Sequence, residues 1–276
     1  MTLFEVYKQS IKRLENPDVD EIVVRILLCE INNLKTMSDF YLHKDEEIRD
    51  LPRYQSFFDR YLSGEPVQYI LGKTEFLANE FVVNKNVLIP RQESEEVVSF
   101  AIKKIHEVFG NQEIDVVDVC CGSGVMGLSL AKKVNAKSLT LSDLSPEAIE
   151  VARVNMLKLG INADLCVEDA LNAFDKKVDV VISNPPYILK SEKVEKSVLD
   201  NEPHLALFAD NEFSVYKSII NKLNSIKKDQ LLCIFEIGAN ARKVLEKYIF
   251  DTIPNCSYEF VKDMNGKERI LSILIK

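Results

Sequence analysis

A chain of 276 residues with 46% hydrophobic and 28% charged content has the composition of an ordinary globular protein, long enough for one large domain or two modest ones, and disorder is not indicated. Lys and Arg number 35 against 43 Asp and Glu, a formal charge of −8 with no basic cluster; this argues against a nucleic-acid substrate. No stretch approaches the roughly 20 apolar residues of a membrane span, and the six cysteines include no C-x-x-C pair, so neither a zinc site nor a disulfide framework is expected and a reducing, cytoplasmic compartment fits.

The N-terminus, residues 1–14, is charged and amphipathic without an apolar core of signal-peptide length. From Thr2 to about Ser63 the spacing is helical throughout. Ile22, Val23, Ile26 and Leu27 repeat behind Asp18 and Asp20, either of which suits a helix cap, and Ser38 opens a second helical segment. Tyr54, Phe57, Phe58, Tyr61 and Leu62 form an aromatic face that stops at Gly64. This is a small all-α domain with its own core, since aromatics at helical spacing usually pack. Gly64-Glu65-Pro66 breaks the pattern. Residues 74–76 and 81–83, separated by Ala78-Asn79-Glu80, predict a hairpin that leads to Val87-Leu88-Ile89-Pro90-Arg91. The expected organisation is a helical domain over 1–72, a β-hairpin linker over 73–92 and an α/β domain over 93–276.

Helical spacing returns over 93–109, and the chain then alternates as in a parallel α/β sheet. Apolar runs predict strands at 114–120, 138–142, 163–167, 178–183 and 231–236. Ser145-Pro146 is a helix start signal. Near the C-terminus residues 257–261 and 269–275 flank Asp263-Met264-Asn265-Gly266, a hairpin cue, so the sheet is expected to end in an antiparallel pair.

Two stretches carry chemistry. The first is Asp118-Val119-Cys120-Cys121-Gly122-Ser123-Gly124, a strand running into a glycine-containing turn ahead of a helix over 125–133. Glycines there let a ligand approach the backbone, and the helix start offers amide donors. Gly122, Gly124 and Gly127 formally satisfy the dinucleotide pattern G-x-G-x-x-G, which keeps NAD as a rival. Two residues favour S-adenosyl-L-methionine instead. Asp118 puts an anion where a cationic amino group can sit and a phosphate would be repelled. Asp143 ends the next strand, where a carboxylate can hold both ribose hydroxyls, as it would for either cofactor. Asp169, past the third strand, suits the adenine amine. Each Asp would serve equally well as a helix cap. Cys120 and Cys121 have no partner that would lower a thiol pKa and are read as small packing residues.

The second stretch is Asn184-Pro185-Pro186-Tyr187, at the carboxyl end of the strand over 178–183, where open α/β sheets bind ligands. The prolines hold the backbone nearly rigid and add carbonyl acceptors without amide donors, and Asn184 contributes a further acceptor. Such a corner can hold a planar NH₂ group. It is equally a stiff strand-ending turn.

Taken together, these stretches resemble the release-factor glutamine methyltransferases. Gly64-Glu65-Pro66-Val67-Gln68-Tyr69-Ile70-Leu71-Gly72 is similar to the family's linker. Leu88-Ile89-Pro90-Arg91-Gln92-Glu93-Ser94-Glu95 is similar to its I-P-R-P-E-T-E, and Ser183-Asn184-Pro185-Pro186-Tyr187-Ile188 to its S-N-P-P-Y-I. Asn201-Glu202-Pro203-His204, Phe235-Glu236-Ile237-Gly238 and Gly266-Lys267-Glu268-Arg269 add to the match. The resemblance implies a Rossmann-like class I methyltransferase domain, S-adenosyl-L-methionine as cofactor, and the glutamine of the Gly-Gly-Gln motif in peptide chain release factors as substrate.

It further implies that Asn184 and the Pro185 carbonyl accept the two amide hydrogens and that Pro186 stiffens the corner, with Tyr187 packing on the substrate. Arg91 and Glu93 would close over the site or form a salt-bridged surface loop. Cofactor contacts would come from Asp118, Cys120, Cys121, Gly122, Ser123, Gly124, Asp143, Asp169, Ala170 and Asn184. Four positions depart from the family pattern: Cys120 and Cys121 replace a Gly and a Thr, Gln92 stands for a Pro, and Ala170 stands where some members carry an aromatic. The alternatives are a methyltransferase acting on an exocyclic amine of a nucleic-acid base, since N-P-P-Y is shared with such enzymes, and a non-catalytic S-adenosylmethionine-binding module.

Overall fold

The computed structural model describes residues 1–14, 17–210 and 212–276, with 17–19 described by their backbone alone. The chain separates into two compact units, Met1–Gly72 and Lys73–Lys276. The first is helical: α1 (Leu3–Ile11), α2 (Pro17–Asn32), α3 (Met37–Leu42), α4 (Leu51–Leu62) and α5 (Val67–Leu71). Leu3, Val24, Leu27, Phe40, Tyr54 and Phe58 make its core. The caps differ from expectation. Helix α3 is capped by Thr36 in a reciprocal box with Asp39, so Ser38 lies inside the first turn. Asp20 lies within α2 and accepts the Tyr61 hydroxyl at 2.6 Å instead of capping; the side chain of Asp18 lies outside the described residues. The break at Gly64-Glu65-Pro66 is followed by one more short helix, α5, entered through Pro66 and ended by Gly72 at φ 71°.

The second unit opens with a hairpin, β1 (Lys73–Phe76) and β2 (Asn79–Val82). Its loop is the two residues Leu77-Ala78, both at positive φ (46° and 58°), where Ala78-Asn79-Glu80 had been expected, so Asn79 and Glu80 belong to the strand. A two-residue loop with both φ positive matches the twist of the strands, but normally announces itself as Asn-Gly, a signal absent here. Glu95 compensates by accepting the Leu77 amide at 2.7 Å.

There follow α6 (Gln92–Phe109), β3 (Ile114–Val119), α7 (Val125–Ala131), β4 (Ala136–Asp143), α8 (Pro146–Leu159), β5 (Asp164–Val167) and β6 (Val178–Ser183). A pair of two-residue strands, β7 (Ile188–Leu189) and β8 (Phe208–Ala209), brackets the short helices α9 (Lys196–Asn201) and α10 (His204–Leu207). The chain ends with α11 (Ser214–Ile226), β9 (Lys227–Glu236), α12 (Arg242–Thr252), β10 (Ser257–Lys262) and β11 (Glu268–Ile275).

Seven strands form one sheet in the order β10-β11-β9-β6-β3-β4-β5. Six run in one direction and β11 alone is reversed, antiparallel to both β9 and β10, which is the expected antiparallel ending. This is the class I methyltransferase arrangement the sequence predicted. Alternation splits the core into two layers, as a sheet buried on both faces requires. Val117, Val119, Val181, Cys233 and Phe235 face α11 and α12, whereas Val116, Val180, Ile182, Leu232 and Ile234 face α6, α7 and α8. Strand order reverses between β3 and β6. Loops leaving such a switch point diverge to opposite faces and leave a crevice at the strands' carboxyl ends, and both chemical stretches of the sequence sit there. No helix among the described residues is long and apolar enough to cross a membrane.

Candidate active site

A pocket opens at the carboxyl ends of β3, β4, β5 and β6. Cys120, Cys121, Gly122 and Ser123 form one wall, Asp143 and Ser145 the next, then Asp169 and Ala170, with Asn184 and Pro186 opposite. Leu88, Pro90, Ser94, Pro203, Leu205 and Val215 complete it.

The glycine turn is built around residues in the left-handed region: Cys120 at φ 58°, Gly122 at 53° and Gly124 at 78°. A Cβ at Gly122, which lines the pocket, would meet nothing within 4 Å, whereas one at Gly124 would meet Leu128 at 3.1 Å. Gly124 therefore turns the chain and packs it without lining the pocket. Cys120 pays for the missing glycine of the family pattern, because a residue with a Cβ in this region is strained by roughly 1–2 kcal/mol. Burial, together with the nearby carboxylates of Asp143 and Asp118, pushes its thiol pKa up, away from nucleophilic use. Replacing Cys120 by Gly relieves the strain at a smaller cost in unfolded-chain entropy, so Cys120→Gly should raise the unfolding midpoint by about 2 °C. A lower midpoint would mean that the thiol's packing outweighs the backbone strain.

Asp143 joins two loops. Its Oδ2 accepts from the Gly122 amide at 2.8 Å and its Oδ1 from the Ser145 amide at 2.9 Å. The cap of α8 is Ser145, which accepts from Ala148 at 3.1 Å, so Asp143 is not the helix cap. Burial raises its pKa, and the three backbone amides of Ser145, Gly122 and Leu144 oppose the rise. Each oxygen keeps a lone pair for a ligand. Asp169 is exposed, and Ala170 beside it is buried with φ 53°.

Asp118 is placed otherwise than expected. It shares the sheet face of Val116, beneath α7, and does not line the pocket. Its Oδ2 accepts the Gly127 amide at 2.7 Å, its Oδ1 is buried without a partner, and a side chain on Gly127 would collide with it at 2.7 Å. The strand alternation that puts Val117 and Val119 on the opposite face was the signal for this. With that amide engaged by a carboxylate, the start of α7 is a poor phosphate site, which weighs against a dinucleotide.

Burial pushes the Asp118 pKa up to about 8, with the Gly127 hydrogen bond opposing. The folded value thus exceeds the unfolded one of about 3.9. Stability from this group is full below pH 4 and is lost as the pH rises toward 8. Asp118→Asn should therefore gain stability over the wild type progressively between about pH 4 and pH 8 and level off above, read as midpoints of urea unfolding; a difference independent of pH would contradict a protonated Asp118.

At the tip of β6, Asn184 and Pro186 face the pocket while Pro185 is buried behind them. No described residue hydrogen-bonds the Asn184 side chain. Tyr187 turns inward: its ring packs on Gly238, where an added Cβ would lie 2.9 Å from Cδ2, and its hydroxyl donates to Glu236 Oε1 at 3.3 Å. It braces the corner and does not line the pocket. Nor do Arg91 and Glu93. Arg91 pairs with Glu202, a carboxylate buried at 5% exposure that also accepts the Ile89 amide at 3.1 Å, and donates to the Ile89 carbonyl at 2.8 Å. That pairing fixes the 88–90 segment beside Pro203 and Leu205 on the pocket rim. Glu202, Ser94, Tyr216 and Glu236 were not singled out from the sequence; what marked them was membership of motif-like stretches or, for Tyr216, nothing.

Among the described residues no group of His, Cys, Asp and Glu could hold a metal ion. The family model described as Methyltransferase small domain matches residues 96–202, and the one described as PrmC N-terminal domain matches residues 5–72. The release factor glutamine methyltransferase of Bacillus subtilis (strain 168) is 34% identical over 283 residues, covering 99% of this chain and 98% of its own length. The chain belongs to the release factor glutamine methyltransferase family. The member from Staphylococcus aureus (strain NCTC 8325 / PS 47) is also 34% identical, over 86% of both chains. A ribosomal protein methylase from Lactobacillus delbrueckii subsp. bulgaricus superimposes with a TM-score of 0.52 at 18% identity, over 69% of this chain and 82% of its own, a likeness of fold alone. Two of the departures from the family pattern fall at left-handed positions: Cys120, where a Gly would be unstrained, and Ala170 at φ 53°.

Proposed function

We propose that this chain transfers a methyl group from S-adenosyl-L-methionine to the side-chain amide nitrogen of a glutamine in peptide chain release factors, the glutamine of the Gly-Gly-Gln motif. The observation that carries the reading is Asn184, a free amide at the tip of β6 that opens on the same pocket as the glycine turn and Asp143. The pocket suits the cofactor: Gly122 leaves open space where a Cβ would stand, and Asp143, which lines the pocket, has both oxygens fixed by backbone amides with acceptor capacity remaining. Asp143 is assigned to the ribose, Cys120 to Ser123 to the amino acid end, and Asp169 with Ala170 to the adenine. When bound, S-adenosyl-L-methionine supplies an electrophilic methyl group on a sulfonium.

An amide nitrogen is a poor nucleophile because its lone pair is delocalised, so the protein's contribution is orientation. Asn184 Oδ1 and the Pro185 carbonyl accept the two amide hydrogens and aim the nitrogen; positioning of this kind is worth roughly 7–11 kcal/mol of barrier. The proton becomes acidic as the methyl group arrives, so no strong base is needed beforehand. Tyr187 and Pro186 keep the corner rigid. The helical unit, residues 1–72, is assigned to recognition of the release factor. Incubation with labelled S-adenosyl-L-methionine and, separately, a release factor or tRNA tests the reading: label should appear on the release factor, and label on tRNA alone or on neither overturns it.

A further inference from the structure

We propose that Glu236 is a positioning residue for methyl transfer, tying the Asn-Pro-Pro-Tyr corner to helix α6 and, through Tyr216, fixing the direction of the Pro185 carbonyl; the inference rests on the functional reading above. Ser183 pairs with Phe235 in the sheet, so Asn184 and Glu236 leave adjacent strands at the same level. Three hydroxyls converge on Glu236. Ser94 Oγ donates to Oε2 at 2.6 Å, Tyr187 to Oε1 at 3.3 Å, and the Tyr216 hydroxyl to the Glu236 carbonyl at 2.8 Å while lying 3.3 Å from the Pro185 carbonyl. Ser94 lines the pocket, so the chain of contacts runs from one pocket wall to the other behind the corner.

Glu236 is 1% exposed and none of its hydrogen bonds comes from a cation; Arg269 is the nearest positive charge acting on it and Glu93 a negative one. Burial raises its pKa, as expected where an apolar residue would be easier to accommodate. A carboxylate kept in such a place beside a cleft points to a geometric task. The carboxylate's task is to tie Tyr187 to Ser94 behind the corner, while the main-chain carbonyl of Glu236 shares the single Tyr216 hydroxyl proton with the Pro185 carbonyl, whose other lone pair is left for the substrate amide. Tyr216 is fully buried between Phe213 and Phe235, so its ring stays in place when only the hydroxyl is removed.

The test uses the full chain with Tyr216→Phe and Glu236→Gln, measured for S-adenosyl-L-methionine affinity, unfolding midpoint, and kcat and KM toward a release factor. Both variants should lose about ten- to a hundredfold in kcat with cofactor affinity and KM nearly unchanged, because a corner displaced by a fraction of an ångström still binds but misaims the nitrogen. Should Glu236→Gln fail to fold, Tyr187→Phe, which removes a hydroxyl from the carboxylate, decides with the same loss of kcat expected. A kcat equal to that of the wild type, or a loss confined to KM or cofactor affinity, overturns the inference and leaves the functional reading intact. A wild-type chain inactive toward release factors overturns the functional reading first, and this inference with it.

Discussion

Asn184→Ala should lower kcat toward a release factor by about a hundred- to a thousandfold, the usual effect of deleting one preorganised hydrogen-bonding group from a reacting centre. Cofactor affinity should be essentially unchanged. The side chain makes no hydrogen bond to the described residues, so its loss leaves no described buried group unsatisfied and the fold is not at stake. What disappears is an acceptor for one amide hydrogen, after which the nitrogen can rotate away from the line of transfer. Asn184→Asp separates orientation from charge: it keeps the acceptor and should retain more activity than the Ala variant. Methylation by Asn184→Ala at the wild-type rate would remove Asn184 from the chemistry, and with it the reason for calling this pocket an active site.

Asp143→Ala should act on the other substrate. It removes the acceptor assigned to the ribose, and hydrogen bonds to a charged group are worth about 1.5–3 kcal/mol, so S-adenosyl-L-methionine should bind about ten- to a hundredfold more weakly. Part of that loss comes through the protein itself. The Gly122 and Ser145 amides lose their partner, which loosens the glycine turn the cofactor lies on. Asp143→Asn preserves one acceptor and should fall between the two. Titration calorimetry distinguishes the roles: weaker cofactor binding supports a ligand contact, whereas unchanged affinity with a lower unfolding midpoint would reduce Asp143 to a tie between loops.

The parts of the molecule legible in the sequence were those decided locally. The buried parallel strands read as apolar runs, Ser145-Pro146 announced α8, and Asn265-Gly266 announced the final hairpin. The first hairpin was misread because Leu77-Ala78 carries no turn chemistry and is held by Glu95, eighteen positions away. The site divides in the same way. Asn184, Asp143 and the glycine turn stood out because residue type and strand end coincide. Asp118 looked equivalent by position, yet the pleat aims it under α7. Tyr187 was assigned to the substrate, but Gly238 and Glu236 draw it inward, and no local pattern specifies that. Ser94 and Glu236 are 142 positions apart, and only the folded sheet brings them within a hydrogen bond.

The sheet order also governs how the site is assembled during synthesis. Strand β9, which carries Glu236, lies between β6 and β11, and β11 is the last strand of the sheet to leave the ribosome. Until residues 268–275 emerge, β9 has an unpaired edge of apolar residues, and the nascent chain can hold its glycine turn and its Asn-Pro-Pro-Tyr corner without the flank that backs them. Long-range pairing of this kind is slow and leaves edges exposed to aggregation.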